Sequence, residues 1–210
     1  MIKFTDKLKT IKSECESRLK EKGSTFISIS KPIKNEEEAH QFLDSVRKKF
    51  YDATHHCYSY QFADGNFKYS DDGEPGGTAG KRIYNAQNHF ELTNLITIVI
   101  RYYGGVKLGV GPLGKAYYES ALECLKSAEM EEQFLHEKIE IRYNFENSSL
   151  IHHLISKYSV IIKGTNFVPE PVILGLIMAS AISDFQSELT AASNNQIVLK
   201  MSGESTYLKK

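Results

Sequence analysis

Hydrophobic and polar positions fall into two alternating regimes along this chain, with runs at period two and segments in which apolar residues recur every three or four positions. The second half is the more regular. "KIEIRYNF" (138–145) alternates as a strand, "SSLIHHLISKY" (148–158) has helical spacing, and "VIIKGTNFV" (160–168) is strand-like again. "PVILGLIMA" (171–179) predicts a further strand, with a turn around Val168 to Pro171 before it. "SDFQSELTAAS" (183–193) predicts a helix capped by Ser183 or Asp184, and "QIVLKMS" (196–202) a last strand. The order βαββαβ is the split βαβ plan of the ferredoxin-like fold.

The first half is less uniform. "STFISIS" (24–30) and "HHCYSYQF" (55–62) predict strands, separated by a helix in "NEEEAHQFLDSVRKKF" (35–50). Asn35 is its expected cap, and Ala39, Phe42, Leu43, Val46 and Phe50 form one face. A polar loop, "ADGNFKYSDDGEPGGTAG" (63–80), precedes a short helix around "KRIYNAQNHF" (81–90) and a buried strand in "NLITIVIRYY" (94–103). Five glycines then fall between Gly104 and Gly114, ahead of a long helix expected from about Pro112, a residue suited to a first helical turn. Leu113, Tyr117, Ala121, Cys124 and Ala128 should face the core, with Lys115, Glu119 and Lys126 turned elsewhere. The charge-rich "AEMEEQFLHEK" (128–138) is the expected turn between two domains, 1–134 and 135–210.

Composition adds limits. In 210 residues, 41% hydrophobic and 25% charged content is that of a globular protein, and no apolar run approaches the ~20 residues of a membrane span. The opening "MIKFTDKLKTIKSECESRLK" (1–20) mixes charge with apolar residues and does not build a signal-peptide core, so a cytoplasmic setting is expected. Cys15, Cys57 and Cys124 are odd in number, far apart in sequence and in no metal-ligand spacing, which predicts reduced thiols. Net charge is zero, yet between Pro75 and Tyr118 stand Lys81, Arg82, Arg101, Lys107 and Lys115 against the single acid Glu91, a local charge of +4.

"GVGPLG" (109–114) satisfies G-x-G-x-x-G between a strand and a helix. A dinucleotide site needs that first glycine close behind the strand, whereas "GGVKL" intervenes, and a P-loop needs a following G-K-[ST] that is absent. Two readings of the glycines remain: a tight connection, or a nest of backbone N–H groups holding an anion at a helix N-terminus.

"SDDGEPGGTAGKRI" (70–83) followed by "LITIVIRYYGGVKLGVGPLGKAY" (95–117) resembles the YigZ/IMPACT family, and "ATHHCYSY" (53–60) resembles that family's His- and Cys-bearing strand. The resemblance is strong over roughly the first 130 residues. It implies an α+β protein of two domains, an N-terminal ribosomal protein S5 domain 2-like fold and a C-terminal ferredoxin-like fold. Eukaryotic members resemble translation regulators that restrain an initiation-factor kinase by competing for its activator, and carry an additional RWD module for which this chain has no room. For a shorter member the resemblance implies binding to RNA, the ribosome or a translation-associated partner. Two departures from the family's usual pattern stand out: Gly111-Pro112 and Lys115 are found where Gly-Gly and Arg are common, and His56 where Asn is frequent. Lys115 would offer a point charge in place of a bidentate fork.

The expected anion or nucleic-acid face is therefore Lys81, Arg82, Arg101, Tyr103, Gly104, Gly105, Lys107, Gly109, Gly111 and Lys115, with Tyr103 available for base stacking if it leaves the strand. His55, Asp71, Asp72 and Glu74 form a motif loop open to two readings, a hard-cation or hydrolytic site and a turn built by Asp, Gly and Pro. His55 and His56 point to opposite faces of a strand, and Cys57 reads as a buried thiol. No catalytic residue, metal or cofactor is expected, and no membrane partner. The alternatives are a metal- or phosphate-dependent hydrolase using "DDGEP" and the histidines, or a protein-protein adaptor without nucleic-acid contact.

Overall fold

A computed structural model describes residues 6–194 and 196–209. The chain forms two compact units, residues 8–132 and residues 133–210 together with Asp6 and Lys7. β1 (Lys7–Ile11) places Ile11 in the core of the first unit. β2 (Cys15–Glu21) and β3 (Ser24–Pro32) form a hairpin about Lys22 and Gly23, both at positive φ. Then follow α1 (Glu36–Lys49), β4 (His55–Gln61), β5 (Phe67–Ser70), α2 (Gly80–His89), β6 (Leu95–Tyr102) and α3 (Val110–Ser127).

These strands pair antiparallel in the order β2-β3-β6-β4-β5, with β6 central. Alternation gives the sheet two buried faces. On one, Ile27, Ile29, Tyr58, Tyr60, Ile96, Ile98 and Ile100 pack against Ala39, Phe42, Leu43 and Val46 of α1, the face predicted for that helix. The Asn35 side chain caps α1 as expected, accepting from the Glu38 N–H at 2.9 Å. On the other, Phe26, Cys57, Leu95 and Val99 meet Ile83 and Ala86 of α2 and Leu113, Tyr117, Ala121 and Leu125 of α3. A polar row runs through this second face. Ser30 and Thr97 hydroxyls lie 2.9 Å apart, Gln87 Nε2 donates to Thr97 Oγ1 and the Ser59 carbonyl, and Ser28 meets Ser120 at 2.8 Å. Each member has a partner, so burial costs little, whereas a one-residue strand slip would orphan all of them.

The second unit contains β7 (Met130–Arg142), α4 (Ser148–Lys157), β8 (Ile161–Asn166), β9 (Val172–Met178), α5 (Ile182–Ser193) and β10 (Val198–Leu208). Its strand order β10-β7-β9-β8 is antiparallel throughout, so each βαβ is split by a strand from the other half, the ferredoxin-like arrangement. Ile139, Ile141, Ile173 and Ile177 supply the sheet side of its core, and Ile151, Leu154, Phe185 and Leu189 the helix side.

Four local expectations need correction. The charged stretch 128–138 is mostly strand β7 and not a turn, because from Phe134 onward it pairs with β10 and from His136 with β9. The loop 63–80 contains β5, which pairs with β4. α3 begins at Val110, two residues before Pro112, with Gly109 as its cap at φ 80°. Neither Ser183 nor Asp184 caps α5; both lie inside a helix that continues from a turn at 179–181.

Gly80, the first residue of α2, touches β5 so closely that a Cβ would stand 2.6 Å from the Ser70 carbonyl oxygen. Alanine would gain ~1 kcal/mol in helix propensity, but the obstacle is backbone and overpacking costs ~1–3 kcal/mol. Gly80→Ala should therefore lower the urea midpoint, and an unchanged or higher midpoint would mean that the 70–80 loop yields freely.

Candidate functional site: the glycine loop and the acidic loop beneath it

β6 ends at Tyr102, and Tyr103 is the first residue outside the strand, 45% exposed, with its N–H bonded to Thr54 Oγ1 at 3.0 Å. Gly104 is required by close approach, since a Cβ there would fall 1.9 Å from the carbonyl carbon of Gly23. Gly109 is required by conformation, its φ of +80° turning the chain into α3. A Cβ at Gly105, Gly109 or Gly111 would meet nothing within 4 Å, so this side of the loop is open. The α3 terminus has no side-chain cap and no acid in its first turn. Its unpaired N–H groups carry about half a positive charge.

Lys107 and Lys115 are exposed beside that terminus, Lys115 in an i,i+4 contact with Glu119 at 3.5 Å. Such an exposed pair is worth only a few tenths of a kcal/mol (~0.3–0.5). Lys81 and Arg82 are exposed in the first turn of α2. Arg82 lies against α3, because a Cβ at Gly114 would stand 3.1 Å from Arg82 Nε. Four of the five expected cations thus reach the surface, and Arg82 lies against α3 at Gly114.

Arg101 does not. It is 5% exposed, donates to Glu74 Oε1 at 2.6 Å and to Ser24 Oγ at 3.4 Å, and lies over the rings of Phe26 and Tyr103. Its position in β6, opposite His55 and Phe26, turns the side chain into the α2/α3 face of the sheet. It is a structural cation of the interior, with Nε buried and unpartnered.

Glu74 is correspondingly buried, and its Oε1 also accepts from the Tyr117 hydroxyl at 2.7 Å. His55 Nε2 is 3.8 Å from the same oxygen, while His55 Nδ1 is 2.8 Å from the Asp72 carbonyl oxygen. Asp71 accepts from the N–H groups of Gly77, Ala79 and Gly80 at 2.8 to 2.9 Å, capping α2 from outside the helix. Asp72, at φ 43°, accepts from the His56 N–H at 2.6 Å and from Arg47 at 3.1 Å. All three carboxylates hold protein donors, which is the turn-building reading of this loop. His56 points the other way, its Nε2 3.0 Å from the Phe50 carbonyl oxygen. Cys57 shares the His55 side of β4, lies 3.0 Å from the Asp71 carbonyl oxygen and is buried, which pushes its pKa far above the ordinary thiol value.

Two features escaped the sequence reading. Tyr117 was expected only as a packing residue, yet its hydroxyl joins the Glu74 pair. Phe67 and Tyr69, on one face of β5, form an exposed aromatic group with Tyr84 of α2: Phe67 and Tyr84 are stacked at 4.9 Å, and Tyr69 and Tyr84 are 6.3 Å apart. The signal was the alternation in "NFKYS", obscured by the polar residues around it.

The Impact N-terminal domain profile matches residues 22–125, a span that contains every residue of this site. An IMPACT family member of Haemophilus influenzae is 30% identical over 184 residues, covering 86% of this chain and 89% of its own length. The chain belongs to the IMPACT family. YvyE of Bacillus subtilis, another IMPACT family member, is 28% identical over 96% of this chain and 93% of its own length. YigZ of Escherichia coli is 26% identical over 85% and 89%. A crystal structure of a hypothetical protein superposes with a TM-score of 0.70, covering 93% of this chain and 97% of its own at 24% identity, and so shares the two-domain α+β fold. No helix among the described residues of this IMPACT-family chain is long and apolar enough to cross a membrane.

Removing one partner of a buried ion pair leaves the other uncompensated, at a cost of ~3–5 kcal/mol. Glu74→Gln should approach that loss in urea unfolding, far above the ~1 kcal/mol expected for Asp72→Asn at its more exposed contact. Adding Arg101→Met to Glu74→Gln should recover part of it. Equal losses in the two single variants would show that Arg101 is not held by Glu74.

Proposed function

We propose that this IMPACT-family chain is a translation-associated RNA-binding protein whose first unit holds a phosphate backbone across the N-terminus of α3. The observation that carries the reading is a set of four exposed cations, Lys81 and Arg82 in the first turn of α2 and Lys107 and Lys115 on either side of the start of α3, together with an uncapped α3 end whose first turn holds no acid and against which Arg82 lies at Gly114. Backbone N–H groups and lysines bind phosphate irrespective of base. The translation setting rests on what the family resemblance implies.

The aromatic group extends the same surface. Tyr84 follows Lys81 by three positions on α2, so the two are neighbours on the helix surface, and Tyr84 leads to Phe67 and Tyr69. A strand whose phosphates lie at the cations can stack bases on these rings, with Tyr103 a further ring at the glycine loop. The acidic loop supplies the scaffold: Asp71 fixes the start of α2, and Glu74 fixes Arg101 and Tyr117.

Binding of single-stranded RNA, followed by fluorescence anisotropy over a salt series, tests this. Four neutralised phosphates give a slope of log K against log salt near −3, at ~0.7 per contact. Lys107→Ala or Lys81→Ala should each weaken binding and flatten the slope by ~0.7. Phe67→Ala should cost ~1–3 kcal/mol in affinity without changing the slope. No measurable affinity, or an affinity indifferent to both lysine replacements, would sink the proposal.

A further inference from the structure

Away from that surface, the fold joins two cysteines that are 109 residues apart in the chain. Cys15 opens the edge strand β2, and Cys124 lies near the end of α3. Their sulfurs stand 3.4 Å apart, each also 3.4 Å from the other residue's carbonyl oxygen. Cys124 is fully buried, with Ser30 Oγ at 3.5 Å, whereas Cys15 is only partly covered. Cys57 has a different environment, with the Asp71 carbonyl and the Tyr117 hydroxyl at its sulfur.

We propose that Cys15 and Cys124 form a hydroperoxide-oxidised dithiol, with Cys15 the attacking sulfur and Cys124 the resolving one. Contact between the two thiols and the accessibility of one of them are the features such a site needs. The asymmetry also sets the roles. A hydrogen bond from Cys124 holds the Cys15 thiol below its ordinary pKa, and the Cys15 contact together with burial pushes Cys124 well above. Its partial exposure and the direction of that shift both favour Cys15 as the attacking sulfur, with the fully buried Cys124 behind it.

In the first step the Cys15 thiolate attacks one peroxide oxygen. An S–O bond forms, the O–O bond breaks, and the leaving oxygen departs as water (or an alcohol) after taking up a proton, leaving a sulfenic acid. In the second, the Cys124 sulfur attacks the Cys15 sulfur: the S–S bond forms, the S–O bond breaks, and the thiol proton leaves with the hydroxyl as a second water. Two thiols lose two electrons to one hydroperoxide, which is reduced. A dithiol reductant reverses the change by exchange. The product ties an edge strand of the sheet to α3, whose other end lies at the glycine loop.

The full-length protein, reduced and freed of reductant, should take up three maleimides per chain in denaturant. After one equivalent of hydrogen peroxide it should take up one, on Cys57, and a non-reduced digest should contain the Cys15 and Cys124 peptides joined. Dithiothreitol should restore three. Replacement of the buried Cys124 risks the fold, so the partly exposed position supplies the variant: Cys15→Ser, with its circular dichroism unchanged, should consume peroxide about ten-fold more slowly and keep Cys124 alkylatable. Retention of three alkylatable thiols in the unmodified protein after peroxide would overturn the proposal. So would linkage only between molecules, or oxidation of Cys15 to a sulfinate beside a free Cys124.

Discussion

One buried carboxylate organises the first unit. Glu74 receives the Arg101 guanidinium from the central strand and the Tyr117 hydroxyl from α3, and it lies beside His55 of the neighbouring strand. A loop, a sheet and a helix are therefore referred to a single oxygen atom. Such a pair gains little net stability over apolar residues of equal volume, because desolvating two charges offsets most of their attraction. Its effect is on uniqueness: any packing of α3 that moves Tyr117 away, or any strand register that turns Arg101 to the opposite face, strands a charge in the interior. The glycine loop connects the two elements so fixed, and its geometry follows from theirs.

Periodicity was legible where one face of an element is buried and the other exposed. α1 shows both its apolar stripe and its Asn35 cap, and the second unit's order of elements can be read from alternation alone. Ends of elements were less legible. β7 opens with two adjacent acids, Glu131 and Glu132, so its first residues look like a linker, and α5 has no side-chain cap to mark its start. β5 is short, exposed at three of its four positions and set among turn residues, so nothing but two aromatic positions announces it.

At the site, position was legible and role was not. Four of the five cations are exposed, but whether an arginine faces water or the core depends on which side of a strand it occupies. Arg101 follows six successive buried residues, five of them apolar, and lies in phase with Leu95, Thr97 and Val99, which face α2 and α3. Its inward orientation was thus implicit in the register, and its charge concealed it. The pairing of Cys15 with Cys124 is different in kind. It depends on where an edge strand meets the end of a helix, and no local pattern in the sequence encodes that contact.

The arrangement of acids bears on how a chain of zero net charge leaves Lys81, Arg82, Lys107 and Lys115 exposed while its motif acids hold protein donors. Between residues 70 and 83 the sequence has three acids and two cations, which on composition alone would make the motif acidic. The fold engages each acid with a protein donor, burying Glu74 and leaving Asp71 and Asp72 half-buried. Glu74 is neutralised by Arg101, Asp72 meets Arg47 at 3.1 Å, and Asp71 is spent on three N–H groups at the positive end of α2. Lys81 and Arg82 are exposed in the first turn of α2, as are Lys107 and Lys115 on either side of the start of α3. A buried charge that is paired contributes almost no field outside, whereas an exposed one contributes its full screened value within a Debye length of ~10 Å. The same acidic motif that looks like a cation site in the sequence therefore has each of its carboxylates engaged by donors of the protein itself, with Glu74 answered in the interior by Arg101.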